Sequence, residues 1–311
     1  MIRIEELTKR YGELVAVQDA SFQAEGGEIF GLLGPNGAGK STTIGCISGL
    51  LPPSSGRVSV LGHDVVREGR KARGALGIVP QELALYEDLS ARENLRYWGA
   101  AWGMRAPALE ARTDELLDRV GLADRAKEAV KKFSGGMKRR LNFACGIVHR
   151  PEVLLLDEPT VGVDPQSRVR LLDLVRSEAK AGTCVLYTTH YMEEAQGLCD
   201  RLAIVDHGRV IAQGTMEELR AEMGERDLLR LSGTFDLAKV TAALLSVPDL
   251  ELVREACSEE QLTLSVKEAS RRLPALFTAL EGAGGIVRET TLTEPSLESL
   301  FIKLTGKELR E

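Results

Sequence analysis

The sequence predicts an α/β core interrupted by a helical subdomain and followed by a small, separate α+β module. Three features predict it. Strand-like apolar runs alternate with helical patterns through the first two thirds, the order of a largely parallel sheet. The stretch between Gln81 and Phe133 is helical and has no strand of its own. Beyond about Glu225 the texture changes to short strands around amphipathic helices. The expected boundaries are a first domain over 1–225, with its helical subdomain at about 82–150, and a second domain over 226–311.

Taken in order, residues 28–33 read as a strand and 40–51 as a helix, with Pro52-Pro53-Ser54-Ser55-Gly56 as the turn that follows. A short strand is expected at 76–79, helical periodicity at 91–120, and a helix after Gly136. Val153-Leu154-Leu155-Leu156 suits a strand buried on both faces. A helix over 166–181 and a strand over 183–188 complete this half. In the second half, strands are expected at 228–231, 250–253, 262–266 and 286–290. The helical repeats Leu237/Val240/Leu244 and Leu273/Leu276/Phe277/Leu280 lie between them. That β-α-β-β-α-β order is a ferredoxin-like unit. A last helix beginning near Pro295 carries Leu297, Leu300, Phe301 and Leu304 on one stripe and stops at Gly306.

The chain has 311 residues, 43% of them apolar and 28% charged, enough for two domains with real cores. A net charge of −6 argues against a general nucleic-acid binder, which carries a basic face. Five cysteines (Cys46, Cys145, Cys184, Cys199 and Cys257) lack paired spacing, which suits a reducing cytoplasm better than a disulfide framework or a zinc site. Residues 1–6 lack the pattern of a signal peptide. No apolar run approaches the ~20 residues that cross a bilayer, so any membrane passage is expected from a partner.

Gly34-Pro35-Asn36-Gly37-Ala38-Gly39-Lys40-Ser41 fits G-x-x-x-x-G-K-[ST] at every fixed position, between an expected strand and helix. Its glycines let backbone N–H groups face phosphate oxygens, and the helix beginning at Lys40 adds its positive end. Lys40 supplies a charge to the terminal phosphates, the Ser41 hydroxyl is a Mg²⁺ ligand, and Thr42 joins the nucleotide-binding set. The loop alone does not separate GTPases, kinases and motor ATPases. Asp157 and Glu158 then follow the buried apolar strand at the sheet's C-terminal edge, where α/β folds bind ligands. Asp157 is expected to hold Mg²⁺ through a water, and Glu158 to orient or deprotonate the attacking water; Pro159 ends the strand.

Phe133-Ser134-Gly135-Gly136-Met137-Lys138-Arg139-Arg140 precedes that acidic strand. Ser134 suits a helix cap, and the two glycines expose backbone N–H groups, making a second phosphate-facing helix end. Together these segments resemble the ATP-binding subunits of ABC transporters, and this one resembles their signature motif. The family's usual glutamine is replaced by Met137. The resemblance covers roughly residues 1–220. It implies that Ser134, Gly135 and Gly136 face the γ-phosphate held by a second subunit, in a head-to-tail homodimer closed by Mg-ATP. It implies that Tyr11 stacks on adenine, that Gln81 ligates Mg²⁺ and senses the γ-phosphate, that Asp164 couples the two sites, and that His190 contacts the γ-phosphate. His63, His149 and His207 read as surface or structural.

Pro159-Thr160-Val161-Gly162-Val163-Asp164-Pro165 and Pro295-Ser296-Leu297-Glu298-Ser299-Leu300-Phe301 are similar to the branch serving drug, antibiotic and lipid or polysaccharide exporters. That likeness implies an ATPase at the cytoplasmic face of the membrane, bound to separate membrane-spanning permease subunits and not to nucleic acid. The competing readings are a soluble ABC ATPase of translation, repair or cluster assembly, and an importer ATPase. One cassette, a short helical insert and the β-α-β-β-α-β tail speak against them.

Overall fold

The computed structural model describes residues 1–223, 226–244, 250–253, 256–293 and 297–306. Two compact units emerge, Met1–Val210 and Ile211–Glu311. The first contains β1 (Ile2–Tyr11), β2 (Leu14–Ala24), β3 (Ile29–Leu33), α1 (Lys40–Ile47), β4 (Ser55–Val60), β5 (His63–Asp64), α2 (Gly69–Gly74) and β6 (Leu76–Val79). It continues through α3 (Ala91–Ala101), α4 (Ala108–Arg119), α5 (Gly135–Gly146), β7 (Val153–Asp157), α6 (Pro165–Lys180), β8 (Cys184–Thr189), α7 (Met192–Leu198) and β9 (Arg201–Asp206), and ends within β10 (Arg209–Thr215).

The central sheet runs β10-β9-β3-β8-β7-β6, and its β6, β7, β8, β3 and β9 pair in parallel. β3, β7 and β8 are buried at every residue, which is why they read as unbroken apolar runs. A second, antiparallel sheet, β2-β1-β4-β5, is not among the elements the sequence predicts. Register shifts between Ile4/Leu7 and Leu7/Lys9 break the period-two alternation that would have marked β1. Its buried face (Ile2, Ile4, Leu7, Phe22) shares one core with Ile44 and Ile47 of α1 and Phe30, Leu32, Leu155 and Leu186 of the central sheet. The rings of Phe22 and Phe30 stack at 5.1 Å.

The expected helix over 40–51 is shorter than its pattern. Ser48 caps it, and Gly49 turns the chain with φ 70°. The periodicity at 91–120 is two helices, because Gly103 (φ 81°) breaks it before Pro107. Ser90 and Glu93 form a reciprocal capping box at the start of α3.

The second unit contains α8 (Met216–Met223), β11 (Arg226–Thr234), α9 (Leu237–Leu244), β12 (Leu250–Leu252), β13 (Gln261–Lys267), α10 (Ala269–Gly282), β14 (Ile286–Thr293) and α11 (Leu297–Thr305). Its antiparallel sheet has the order β12-β13-β11-β14, the arrangement of a split βαβ unit. Leu229, Leu231, Leu262 and Leu264 pack against Val240 and Leu244 of α9 and Leu276 and Leu280 of α10. Glu225, Pro295 and Ser296 lie outside the described residues. In α11, Leu297, Leu300 and Phe301 are buried as expected, but Leu304 is 43% exposed. The buried face turns instead through Ser299 and Ile302, leaving the final turn to solvent.

Candidate active site

Parallel pairing sets the site. Leu33 stands opposite Thr189, and Asp157 opposite Thr188, so the segments leaving β3, β7 and β8 emerge along one edge of the sheet. The Gly34 amide donates to the Thr189 carbonyl at 3.3 Å. From there residues 34–39 wrap toward α1, and two glycines explain the tightness. A Cβ on Gly34 would lie 2.2 Å from the Val205 carbonyl oxygen; one on Gly39, where φ is 101°, would lie 2.4 Å from that of Ala16. Pro35 is half-buried, Asn36 and Gly37 are exposed, and Ala38 is buried. The loop thus keeps its middle open to solvent while its two ends are clamped.

Lys40 is 4% exposed and points back into this loop. Its Nζ donates to the carbonyls of Gly34 (2.6 Å) and Pro35 (3.0 Å) and lies 3.0 Å from Glu158 Oε1. Two of the ammonium hydrogens thus go to backbone carbonyls, and the charge is paired with Glu158. Glu158, itself 5% exposed, has its other oxygen 3.0 Å from His190 Nδ1. The backbone of Glu158 is left-handed (φ 44°), a conformation few non-glycine residues adopt; it turns the chain sharply where β7 ends, before Pro159.

Ser41 Oγ donates to Asp157 Oδ1 at 3.1 Å, and that same oxygen accepts from Thr188 Oγ1 at 2.8 Å. The Thr188 hydroxyl in turn accepts from the Glu158 amide at 3.0 Å. One threonine thereby fixes both acidic residues. A hydroxyl and a carboxylate facing each other form an all-oxygen donor set, which suits Mg²⁺ completed by phosphate oxygens and waters. Thr42 is half-buried on α1.

The remaining candidates lie on other segments. Tyr11, 45% exposed, ends β1, with Lys9 Nζ 5.1 Å from its ring centroid. Its strand partner β2 reaches the phosphate loop through Ala16. Gln81 is exposed after β6, and its carbonyl accepts from Arg139; among the described residues its side chain has no bond to Ser41 or Asp157. Ser134 caps α5, its Oγ accepting from the Met137 amide at 3.3 Å, with Gly135 exposed beside it. Gly136 is buried against α6, since a Cβ there would lie 2.2 Å from Ser167 Oγ. Asp164 caps α6, accepting from the Ser167 amide at 2.9 Å; that bond holds its carboxyl below the ordinary aspartate range. Among the described residues, no hydrogen bond or ion pair joins Ser134–Gly136 to residues 34–42.

Sequence reasoning missed Thr188, Arg139 and a buried knot around Glu194. Glu194 Oε2 accepts from Tyr187 Oη (2.7 Å), Thr160 Oγ1 (2.9 Å) and Thr189 Oγ1 (3.0 Å), which braces the segments on either side of Glu158 and His190. Burial, reinforced by the Glu194 charge, pushes the Tyr187 phenol well above its usual value. Two threonines closing an apolar strand were the available signal, because buried hydroxyls require partners.

This geometry bears on comparisons with known proteins. Residues 17–161 match the family described as ABC transporter, and residues 214–305 match the ATP-binding protein DrrA1-3-like, C-terminal domain. The chain is 42% identical over 311 residues to the linearmycin resistance ATP-binding protein LnrL of Bacillus subtilis (strain 168), covering 100% of each. It is 38% identical over 315 residues to a Nod factor export ATP-binding protein I of Sinorhizobium fredii (strain NBRC 101917 / NGR234), covering 100% of this chain and 87% of the relative. A solved dimeric ATP-binding cassette, in a post-hydrolysis state bound to ADP and Pi, superposes with a TM-score of 0.63 at 25% identity, over 69% of this chain and 98% of that one.

Proposed function

The chain belongs to the ABC transporters as an ATP-binding, ATP-hydrolysing subunit that powers a membrane exporter, and from that premise we propose how its residues divide the work. Two identical copies bind two ATP molecules head to tail. In each copy residues 34–42 hold the phosphates, Lys40 meets the terminal ones, and Tyr11 stacks on the base. Ser41, Asp157 and Gln81 are the residues that hold Mg²⁺, which when bound supplies charge neutralisation at the phosphates. Glu158 orients and deprotonates the attacking water, and His190 holds the position of Glu158. Ser134, Gly135 and Gly136 present the N-terminal end of α5 to the nucleotide of the other copy, with Asp164 beside them.

The observation that carries this reading is the presence of two anion-ready helix ends in one chain with no bond between them among the described residues. That a solved relative is a dimer bound to ADP and Pi supports a nucleotide-bound pair. Closure follows from the higher affinity of ATP for the closed pair, and hydrolysis removes it.

The permease is a separate partner, and no described helix is long and apolar enough to cross a membrane. We assign its contact to an apolar cavity of about 270 Å³ beside Gln81, lined by Ile78, Pro80, Ala84, Trp98, Trp102 and His149. We take the chain to work at the cytoplasmic face of the membrane, against that permease. The resistance and export names of the relatives support a cargo of the drug or Nod-factor type, whose contacts belong to the permease. The test is Glu158→Gln with saturating Mg-ATP, followed by light scattering. A stable dimer that reverts to monomers with ADP is expected; a monomer under both nucleotides would overturn the shared-site reading.

A further inference from the structure

α5 begins at the turn that carries Ser134, Gly135 and Gly136, and its second turn holds two other segments of the site. Arg139 donates through Nη1 to the carbonyl of Gln81 and through Nη2 to the carbonyl of Val161 at 3.1 Å. Asn142, one turn further along, accepts from the Ala84 amide at 3.0 Å and donates to the Pro80 carbonyl at 3.5 Å. The loop around Gln81 is therefore held at three backbone atoms by one helix. At the other end of the same turn, Gly136 sits so close to α6 that an added Cβ would lie 3.1 Å from Asp164 Oδ2.

Arg139 makes no ion pair with a carboxylate among the described residues, and both of its partners are neutral backbone oxygens. Its use is geometric rather than charge-neutralising. Only a guanidinium offers two separate nitrogens in a fixed fork, so one side chain can fasten two chains that approach from different directions. Lysine brings a single nitrogen to the same place.

We propose that Arg139 is a positioning residue that fastens the Gln81 loop and the Val161–Asp164 segment to the helix bearing Ser134–Gly136, so that all three move as one body when nucleotide is engaged. Engagement of the α5 end by the second copy's nucleotide is thereby passed to Gln81 and Asp164 without any change in the phosphate loop, residues 34–42. The inference rests on the role proposed above for Gln81.

The test compares full-length Arg139→Ala, Arg139→Lys, Gln81→Ala and the Arg139→Ala/Gln81→Ala pair for kcat, KM, Mg-ADP affinity and melting temperature. Arg139→Ala is expected to lower kcat about 10- to 100-fold, the scale of small misplacements remote from the chemistry. KM and Mg-ADP affinity should stay within about twofold. Arg139→Lys should fall between the alanine variant and wild type, and the double variant should be no slower than the slower single, because both act through one element. A kcat for Arg139→Ala within about twofold of wild type would overturn the proposal. So would parallel losses of kcat, ADP affinity and melting temperature, which mark a purely structural tie. Gln81→Ala without effect would overturn the Gln81 role instead, whereas an impaired Gln81→Ala beside an unimpaired Arg139→Ala would overturn the tie alone.

Discussion

Lys40 Nζ is surrounded by two carbonyls and a carboxylate, and this predicts an unusual direction for a catalytic-site variant. Its Nζ donates to the carbonyls of Gly34 and Pro35, at 2.6 and 3.0 Å, and forms an ion pair with Glu158 at 3.0 Å. To meet a phosphate it must release one of them, and the bond that competes most strongly is the one to the carboxylate. A bond to a charged group contributes about 1.5–3 kcal/mol and a neutral one about 0.5–1.5 kcal/mol. Replacing Glu158 by Gln converts the former into the latter, so releasing Lys40 becomes easier by about 1–1.5 kcal/mol. Nucleotide binding should tighten about tenfold.

ADP is the ligand to use, because the proposed dimer closure depends on the γ-phosphate and would add its own affinity to any ATP titration. Calorimetric titration of wild type, Glu158→Gln and Glu158→Ala with Mg-ADP should give affinities rising in that order, since alanine leaves Lys40 no side-chain acceptor at all. ATP turnover in the same variants should fall about 10²–10⁴-fold, the share a general base supplies. Tighter ADP binding with lost turnover is the signature of a base that also restrains the lysine. Unchanged or weaker ADP binding in both variants would refute the restraint.

Two further outcomes follow from packing and burial. Gly136→Ala places its Cβ 2.2 Å from Ser167 Oγ and 2.6 Å from Ser167 Cβ, and only the first can rotate away, so it should destabilise by about 1–3 kcal/mol. Gly135→Ala, whose Cβ meets nothing nearer than 3.9 Å, should melt like wild type, and equal thermal melting of the two variants would refute this. His149 stacks on Trp102 at 3.8 Å with Nε2 2.9 Å from the Leu76 carbonyl oxygen. Burial pulls it below the ordinary histidine value, against the contrary pull of the Leu76 bond and with help from Arg112. The unfolded chain therefore takes up the proton first, and this contribution to stability is present above about pH 6.5 and lost as pH falls from there through the lower folded-state value. The gap in melting temperature between wild type and His149→Asn should narrow on acidification; a constant gap would show that His149 is not the titrating group.

The phosphate loop was legible because each of its positions answers a local need. Gly34 and Gly39 stand where a Cβ would strike backbone, and no other residue fits either place. The acidic pair was legible because four buried apolar residues before it could only be a central strand. β1 and β2 were not legible, since bulges shift the burial phase along strands that are otherwise half polar. The length of α1 was misjudged because apolar residues past Ile47 continue the helical period although Gly49 has already turned the chain. Period records which residues want burial, not where the backbone stops.

Arg139 marks a deeper limit. Its partners are carbonyl oxygens 58 and 22 positions away, and a carbonyl is common to every residue, so nothing in the composition of either loop advertises the bond. The pair Lys40 and Glu158 is hidden for another reason, since both residues are visible in the motifs but their contact with each other is not. A motif lists the groups that meet a phosphate, and those groups carry strong charge and directed hydrogens. Buried without their ligand, they must satisfy one another, because an unpaired ammonium or carboxylate in that position costs several kcal/mol. A site built to bind a charged ligand from inside a packed edge therefore carries an internal competitor for that ligand. In this chain the competitor is the carboxylate proposed to activate the water, so the arrival of nucleotide that frees Lys40 also frees Glu158 for its own task.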